Sequence, residues 1–169
     1  TAIRDPLLMV TRHLLDALAA TPYLYGEQIA DVGSGAGLPG IPLAIACPDL
    51  AFTLIESNGK KSAFQRHAVR RLGLKNVEIW NGRVENFAPA GRFDSVISRA
   101  FSALPDFVAM SSALIKNEGK LLAMKGKTPQ DELDQLPDHC HVEAIHDLQI
   151  PGLDAQRCLI ALSLPAAFD

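Results

Sequence analysis

The chain has 169 residues, 48% hydrophobic and 21% charged, with a net charge of −3. This is ordinary globular composition for one domain and excludes a disordered chain. The longest apolar stretches are proline-interrupted and too short for a membrane span, and no signal peptide is visible. The mildly acidic balance also argues against holding nucleic acid by bulk charge, so any RNA would need a local basic patch.

Apolar and polar runs alternate at strand and helix lengths, the pattern of βα units. Arg4 to Leu18 reads as an amphipathic helix, with Leu7, Leu8, Leu14, Leu15 and Leu18 available for one face. Pro22 and Gly26 mark a loop, Gln28 to Val32 a strand, and a glycine-rich turn follows. Helices are expected over Gly40 to Cys47, with Pro42 in the first turn, and over Asn58 to Leu72. Between them Ala51 to Glu56 reads as the second strand. In the second helix Phe64, Ala68, Val69 and Leu72 are expected to face the core, with Gly73 as C-terminal cap. Arg66, Arg70, Arg71 and Lys75 read as a solvated helix face. Further strands are expected over Val77 to Trp80, Phe93 to Ser98 and Lys120 to Met124, with a helix over Ala103 to Leu114. A short helix near Thr128 precedes two closing strands, Val142 to Leu148 and Cys158 to Leu164, joined by a loop as an antiparallel pair. The expected fold is a doubly wound α/β domain over residues 1–169 with a mostly parallel seven-stranded sheet, its last strand antiparallel.

The turn Asp31-Val-Gly-Ser-Gly-Ala-Gly-Leu-Pro-Gly40 carries the chemistry. Gly33, Gly35 and Gly37 allow positive φ and leave room for a ligand at the carboxyl end of a strand, where ligands dock in this architecture. Glu56, about twenty residues beyond the turn, can accept both hydroxyls of a ribose. Two overlapping registers compete: G-x-G-x-x-G for a dinucleotide, and D-x-G-x-G-x-G for S-adenosylmethionine. Asp31 favours the second, since a carboxylate there would repel a pyrophosphate but can pair with the methionine amino group.

The end of the fourth strand reads Ser98-Arg99-Ala100-Phe101, without the Asn/Asp-Pro-Pro-Tyr/Phe signature of amino methyltransferases. Chemistry with no dedicated acid or base remains, such as attack by a purine ring nitrogen held in line with the methyl group. His13 near Asp16 reads as a surface or capping histidine. The other histidines, and the scattered cysteines Cys47, Cys140 and Cys158, show no metal spacing. Lys60, Arg83, Arg99, Lys125 and Arg157 lie near strand ends that converge on the ligand cleft, where they can meet the cofactor carboxylate or RNA phosphates.

These residues resemble the bacterial 16S rRNA (guanine-N7) methyltransferase family, known as RsmG or GidB. The likeness runs from Arg4-Asp-Pro and Arg12-His-Leu-Leu-Asp16 through the glycine turn to Pro42, then Glu56-Ser-Asn-Gly-Lys-Lys61, Arg83-Val-Glu85, Asp94 to Ala100 and Lys125-Gly. The resemblance implies a class I S-adenosylmethionine-dependent methyltransferase fold and methyl transfer to N7 of a guanine in the 530 loop of 16S rRNA. It also implies a cytoplasmic, monomeric enzyme that acts on the ribosomal small-subunit particle, and a family N-terminal helical extension that the sequence lacks. By matching position, Gly33, Leu38, Val84, Glu85 and Arg99 would contact the cofactor, with the Val84-Glu85 main chain flanking the adenine and Glu56 on the ribose. Lys60, Arg83, Lys125 and Arg157 would serve rRNA or cofactor. A small-molecule methyltransferase and an NAD-binding oxidoreductase domain stay open beside this reading.

Overall fold

A seven-stranded sheet in the order β3-β2-β1-β4-β5-β7-β6 forms the centre of the protein. The computed structural model describes residues 5–99 and 102–165. The strands are β1 Gln28–Val32, β2 Ala51–Glu56, β3 Val77–Asn81, β4 Phe93–Arg99, β5 Ile115–Lys125, β6 His141–Asp147 and β7 Cys158–Ser163. The first five are mutually parallel, and β7 runs antiparallel to both β5 and β6. Strand order reverses between β1 and β4, which opens a crevice at their carboxyl ends.

Alternate residues of the central strands feed two cores. Ile29, Phe52, Leu54 and Ile97 meet one face of the sheet, with α3 (Gly40–Ala46) and the inner side of α4 (Gly59–Leu72). Ala30, Val32, Ile55 and Val96 meet the other, together with α5 (Leu104–Ser111). A short α6 (Gln130–Leu133) follows β5 and contributes Leu133 to this second core.

At the amino ends of the strands, Asp94 and Ser95 clasp the loop that leads into β1. Asp94 Oδ2 accepts the amides of Glu27 (3.0 Å) and Gln28 (2.9 Å), and Lys116 Nζ donates to its Oδ1 at 2.6 Å. Ser95 Oγ accepts from the Tyr25 amide at 2.9 Å and donates to the Tyr25 carbonyl at 2.8 Å.

Three sequence expectations need correction. The first helix is broken into α1 (Pro6–Met9), a π-helical stretch Val10–Leu15 and α2 (Asp16–Leu18); Arg4 lies outside the described residues. The wider π turn shifts the phase of the side chains. Leu8 and Leu14 therefore stand exposed, while Asp16 and Ala17 turn inward. In α4, Phe64 and Leu72 also face outward, because Ser62 and Gln65 take the inward positions beside Val69. The inward pair is held by hydrogen bonds to β2 and the glycine turn. Finally, β5 begins at Ile115 rather than Lys120, through a register irregularity opposite Phe93–Ser95. Gly119 permits it, since a Cβ there would lie 2.9 Å from the Asp94 carbonyl oxygen.

Candidate cofactor site

Gly33, Gly35 and Gly37 all take positive φ (67°, 58° and 88°), so the chain coils tightly as it leaves β1. Its amides and side chains are tied to the neighbouring strand and helix. The amides of Gly33 and Ser34 both donate to the Ile55 carbonyl, at 2.9 and 3.2 Å. The buried Gln65 donates from Nε2 to Ser34 Oγ (2.8 Å) and to the Gly35 carbonyl (2.7 Å), locking α4 against the turn.

Glu56 closes the other side. Its Oε2 accepts the Gly35 amide at 2.8 Å and its Oε1 the Asn58 amide at 2.7 Å. Asn58 in turn caps α4 by accepting the Lys60 and Lys61 amides. A carboxylate offers about four lone-pair sites, so two remain for hydroxyl donors.

Above these residues opens a cleft of about 340 Å³, within the size range of small-ligand sites. Its walls are the ends of β1 and β2 (Val32, Gly33, Ile55, Glu56, Ser57), Lys61 of α4, the Gly82–Glu85 segment and Met110 of α5. Val84 and Glu85 begin a single 3₁₀ turn that follows β3. The lining thus combines a carboxylate with a main-chain segment that carries an apolar side chain, and a Cβ on Gly35 would meet only the Gly33 carbonyl oxygen, at 3.9 Å. A ribose against Glu56 with its adenine along Val84 fits this arrangement.

Among the expected cofactor residues, Gly33, Glu56, Val84 and Glu85 line the cleft, and so does Arg83. Gly35 adjoins it through its bond to Glu56. Gly37 and Leu38 belong to the turn but are not among the residues that line the cleft; the Leu38–Pro39 peptide is cis. Asp31 is fully buried below the turn, where Oδ2 accepts the Gly40 amide at 2.8 Å, so one amide of the α3 terminus is already engaged. Among the described residues, its Oδ1 has no hydrogen-bond partner. Burial pushes the Asp31 carboxyl up to about 7; the Gly40 amide and Arg99 pull it down and Glu56 adds to the rise.

Three of the remaining cations, Arg99, Arg157 and Lys125, are engaged with the protein. Arg99 Nη1 donates to Asp16 Oδ2 at 2.9 Å and to the Arg12 carbonyl at 3.4 Å. Arg157 Nε donates to Asp16 Oδ1 at 3.1 Å. Lys125 Nζ donates to Glu132 Oε2 (2.8 Å) and the Ser102 carbonyl (2.7 Å), which joins β5 to α6. Lys60 is exposed at the start of α4, and its neighbour Lys61 is the lysine that reaches the cleft. Sequence reasoning missed Lys61, Met110 and the anchoring role of Asp16. The Asn58 cap was the available signal for Lys61, since it sets which side of the first helical turn faces β2. No group of His, Cys, Asp and Glu among the described residues could hold a metal ion.

A doubly wound sheet with a glycine turn, an acid after the second strand and a cleft at the switch point defines a class I S-adenosylmethionine-dependent methyltransferase. Solved structures share this fold. The glycopeptide N-methyltransferase MtfA complexed with S-adenosylmethionine aligns with a TM-score of 0.77 at 12% identity, covering 91% of this chain and 88% of that one. N-methyltransferase NodS from Bradyrhizobium japonicum aligns at 0.68 and 13% identity, covering 96% and 99%. The profile of the GidB family, rRNA small subunit methyltransferase G, matches residues 1–160, and the chain belongs to that family. The ribosomal RNA small subunit methyltransferase G of Stenotrophomonas maltophilia is 49% identical over 165 residues, which is 98% of this chain and 78% of that protein. Its counterpart in Aromatoleum aromaticum is 53% identical over 167 residues, covering 96% of this chain and 79% of that protein. Family membership resolves the overlapping glycine registers in favour of S-adenosylmethionine and closes the dinucleotide alternative.

Proposed function

We propose that the protein transfers a methyl group from S-adenosylmethionine to N7 of a guanine in the 530 loop of 16S rRNA. The observation that carries this reading is the cleft itself: the Glu56 carboxylate on one wall and the cations Lys61 and Arg83 at its border. When bound, S-adenosylmethionine supplies an electrophilic methyl group on its sulfonium. Glu56 holds the ribose hydroxyls, the main chain at Val84-Glu85 flanks the adenine, and Gly33 lets the ligand approach the backbone. Gly35, Gly37 and Leu38 shape the turn, Asp31 supports it from below, and Arg99 stands at the methionine end. Guanine N7 has a free lone pair, so no side chain needs to remove a proton. The protein's contribution is to hold nucleophile and methyl in line and to exclude other geometries. Arg83, Lys60 and Lys61 face the acceptor strand, while Lys125 and Arg157 support the site through their carboxylate partners.

The same reading makes residues 1–169 one methyltransferase domain, a monomer that works in the cytoplasm on the small-subunit particle. Among the described residues, no helix is long and apolar enough to cross a membrane. Transfer of labelled methyl to small-subunit particles, naked 16S rRNA and free purine nucleosides tests the proposal. Label at a guanine of the 530 loop is expected; label confined to free purines overturns it.

A further inference from the structure

We propose that the outer face of α4 is the docking surface for the phosphate backbone of the acceptor RNA, with Phe64 as the platform for an unpaired base. The inference rests on the rRNA reading above and locates a surface for it outside the cleft.

Helix α4 holds Lys60, Lys61, Arg66, Arg70 and Arg71 and no acidic residue, in a chain whose net charge is −3. All five are exposed. The ion pairs among the described residues draw on Arg99, Arg157, Lys116, Lys120 and Lys125, and on no cation of α4. Arg70 and Arg71 in the last turn suit the negative end of the helix, but the rest of the arrangement works against it. Lys60 and Lys61 occupy the first turn, at the positive end of the helix dipole. Arg66 and Arg70 repeat at i,i+4, a like-charge spacing that disfavours the helix. An external polyanion would relieve both.

The side chains also fall in order. At about 100° per residue, Lys60, Phe64, His67 and Arg71 form one row along the helix. Arg70 and Arg66 lie together on one side of the helix, about 90° and 130° round from this row, and the inward stripe of Ser62, Gln65 and Val69 lies opposite it. Phe64 is 55% exposed in the middle of that row, with cations on both sides. An exposed aromatic ring in a row of basic side chains is an arrangement on which unstacked bases lie in single-stranded RNA recognition. The row starts beside the cleft, where Lys61 is part of the wall, and runs about 16 Å to Arg71 at 1.5 Å per residue. A strand whose target nucleotide enters the cleft can therefore continue along α4.

Two variants test this: the combined Arg66→Gln, Arg70→Gln, Arg71→Gln chain, and Phe64→Ala. Filter binding of naked 16S rRNA and of intact small subunits is measured across a salt series, with S-adenosylhomocysteine titration and thermal melting on the same proteins. The triple variant is expected to lose about tenfold or more in RNA affinity, with the slope of log K against log salt reduced by about 2. Phe64→Ala is expected to lose several-fold in affinity with the slope kept. S-adenosylhomocysteine affinity and melting should match the wild type in both. Wild-type RNA affinity and slope in the variants overturn the proposal, as does a wild-type chain that does not bind RNA. Loss of binding only to intact subunits, with naked rRNA unaffected, assigns the surface to a ribosomal protein and also overturns it. Failure of methyl transfer to rRNA would instead strike the reading of the cleft, because the binding assay needs no turnover.

Discussion

Asp16 holds Arg99 at the carboxyl end of β4 through a 2.9 Å contact from Nη1 to Oδ2. Its second oxygen takes Arg157, the residue just before β7, so one carboxylate, 5% exposed, ties the end of β4 and the entry to β7 to the N-terminal helix. Asp16→Ala leaves both guanidinium groups without this partner in a largely dry place. A stability loss of about 2–4 kcal/mol is expected in urea unfolding, with weaker S-adenosylhomocysteine binding as Arg99 swings free. Asp16→Asn keeps one acceptor and should lose less. An unchanged unfolding midpoint for Asp16→Ala would show that the contact is dispensable.

Glu56→Gln tests the ribose wall. The amide keeps one acceptor oxygen where the carboxylate used both, so either the Gly35 or the Asn58 N–H loses its partner. Affinity for S-adenosylmethionine should fall about tenfold or more, since hydrogen bonds to a charged acceptor contribute about 1.5–3 kcal/mol. Isothermal titration reads this directly; wild-type affinity would remove Glu56 from the site.

Asp31 sets a pH dependence. Its carboxyl is raised to about 7 from 3.8, so the folded chain binds the proton more tightly than the unfolded one. The group's contribution to stability is full below about pH 4 and is lost as the pH climbs toward 7, at no more than about 1.4 kcal/mol per pH unit. Thermal melts of the wild type and Asp31→Asn between pH 4.5 and 8 isolate this effect. The variant should decline less across that interval, and parallel curves would refute the assignment.

Gly37→Ala places a Cβ 2.4 Å from Ile41 Cδ1 at a residue whose φ is +88°. The terminal methyl can shift, but the backbone conformation cannot be met cheaply by an L side chain, so a loss of about 1–3 kcal/mol is expected. Because Gly37 is not among the residues that line the cleft, most of the effect should appear in melting and less in cofactor titration.

The sheet, the glycine turn and the acid after β2 were readable from the chain because each is a local pattern: alternation, glycine spacing, a carboxylate at a strand end. Facing directions were harder. Asp31 reads as a ligand group from its position, but the chain alone does not show that its Oδ2 accepts the Gly40 amide from beneath the turn. Phe64 looked like core, yet Gln65 and Ser62 win the inward positions of α4 through hydrogen bonds that hydrophobicity does not register. Arg99 and Arg157 were legible as strand-end cations, whereas their shared partner Asp16 lies 83 and 141 residues away. No spacing rule spans such a distance.

The clasp formed by Asp94 and Ser95 around Tyr25–Gln28 sits at the end of the sheet away from the cleft. Damage there would reduce how many molecules stay folded without altering what each folded molecule does. In a cell such a lesion would resemble a lowered dose of enzyme: fewer copies, each working at its normal pace, and curable by making more of them. A lesion in the Glu56 wall would not be, because every additional copy would carry the same weakened grip on its cofactor.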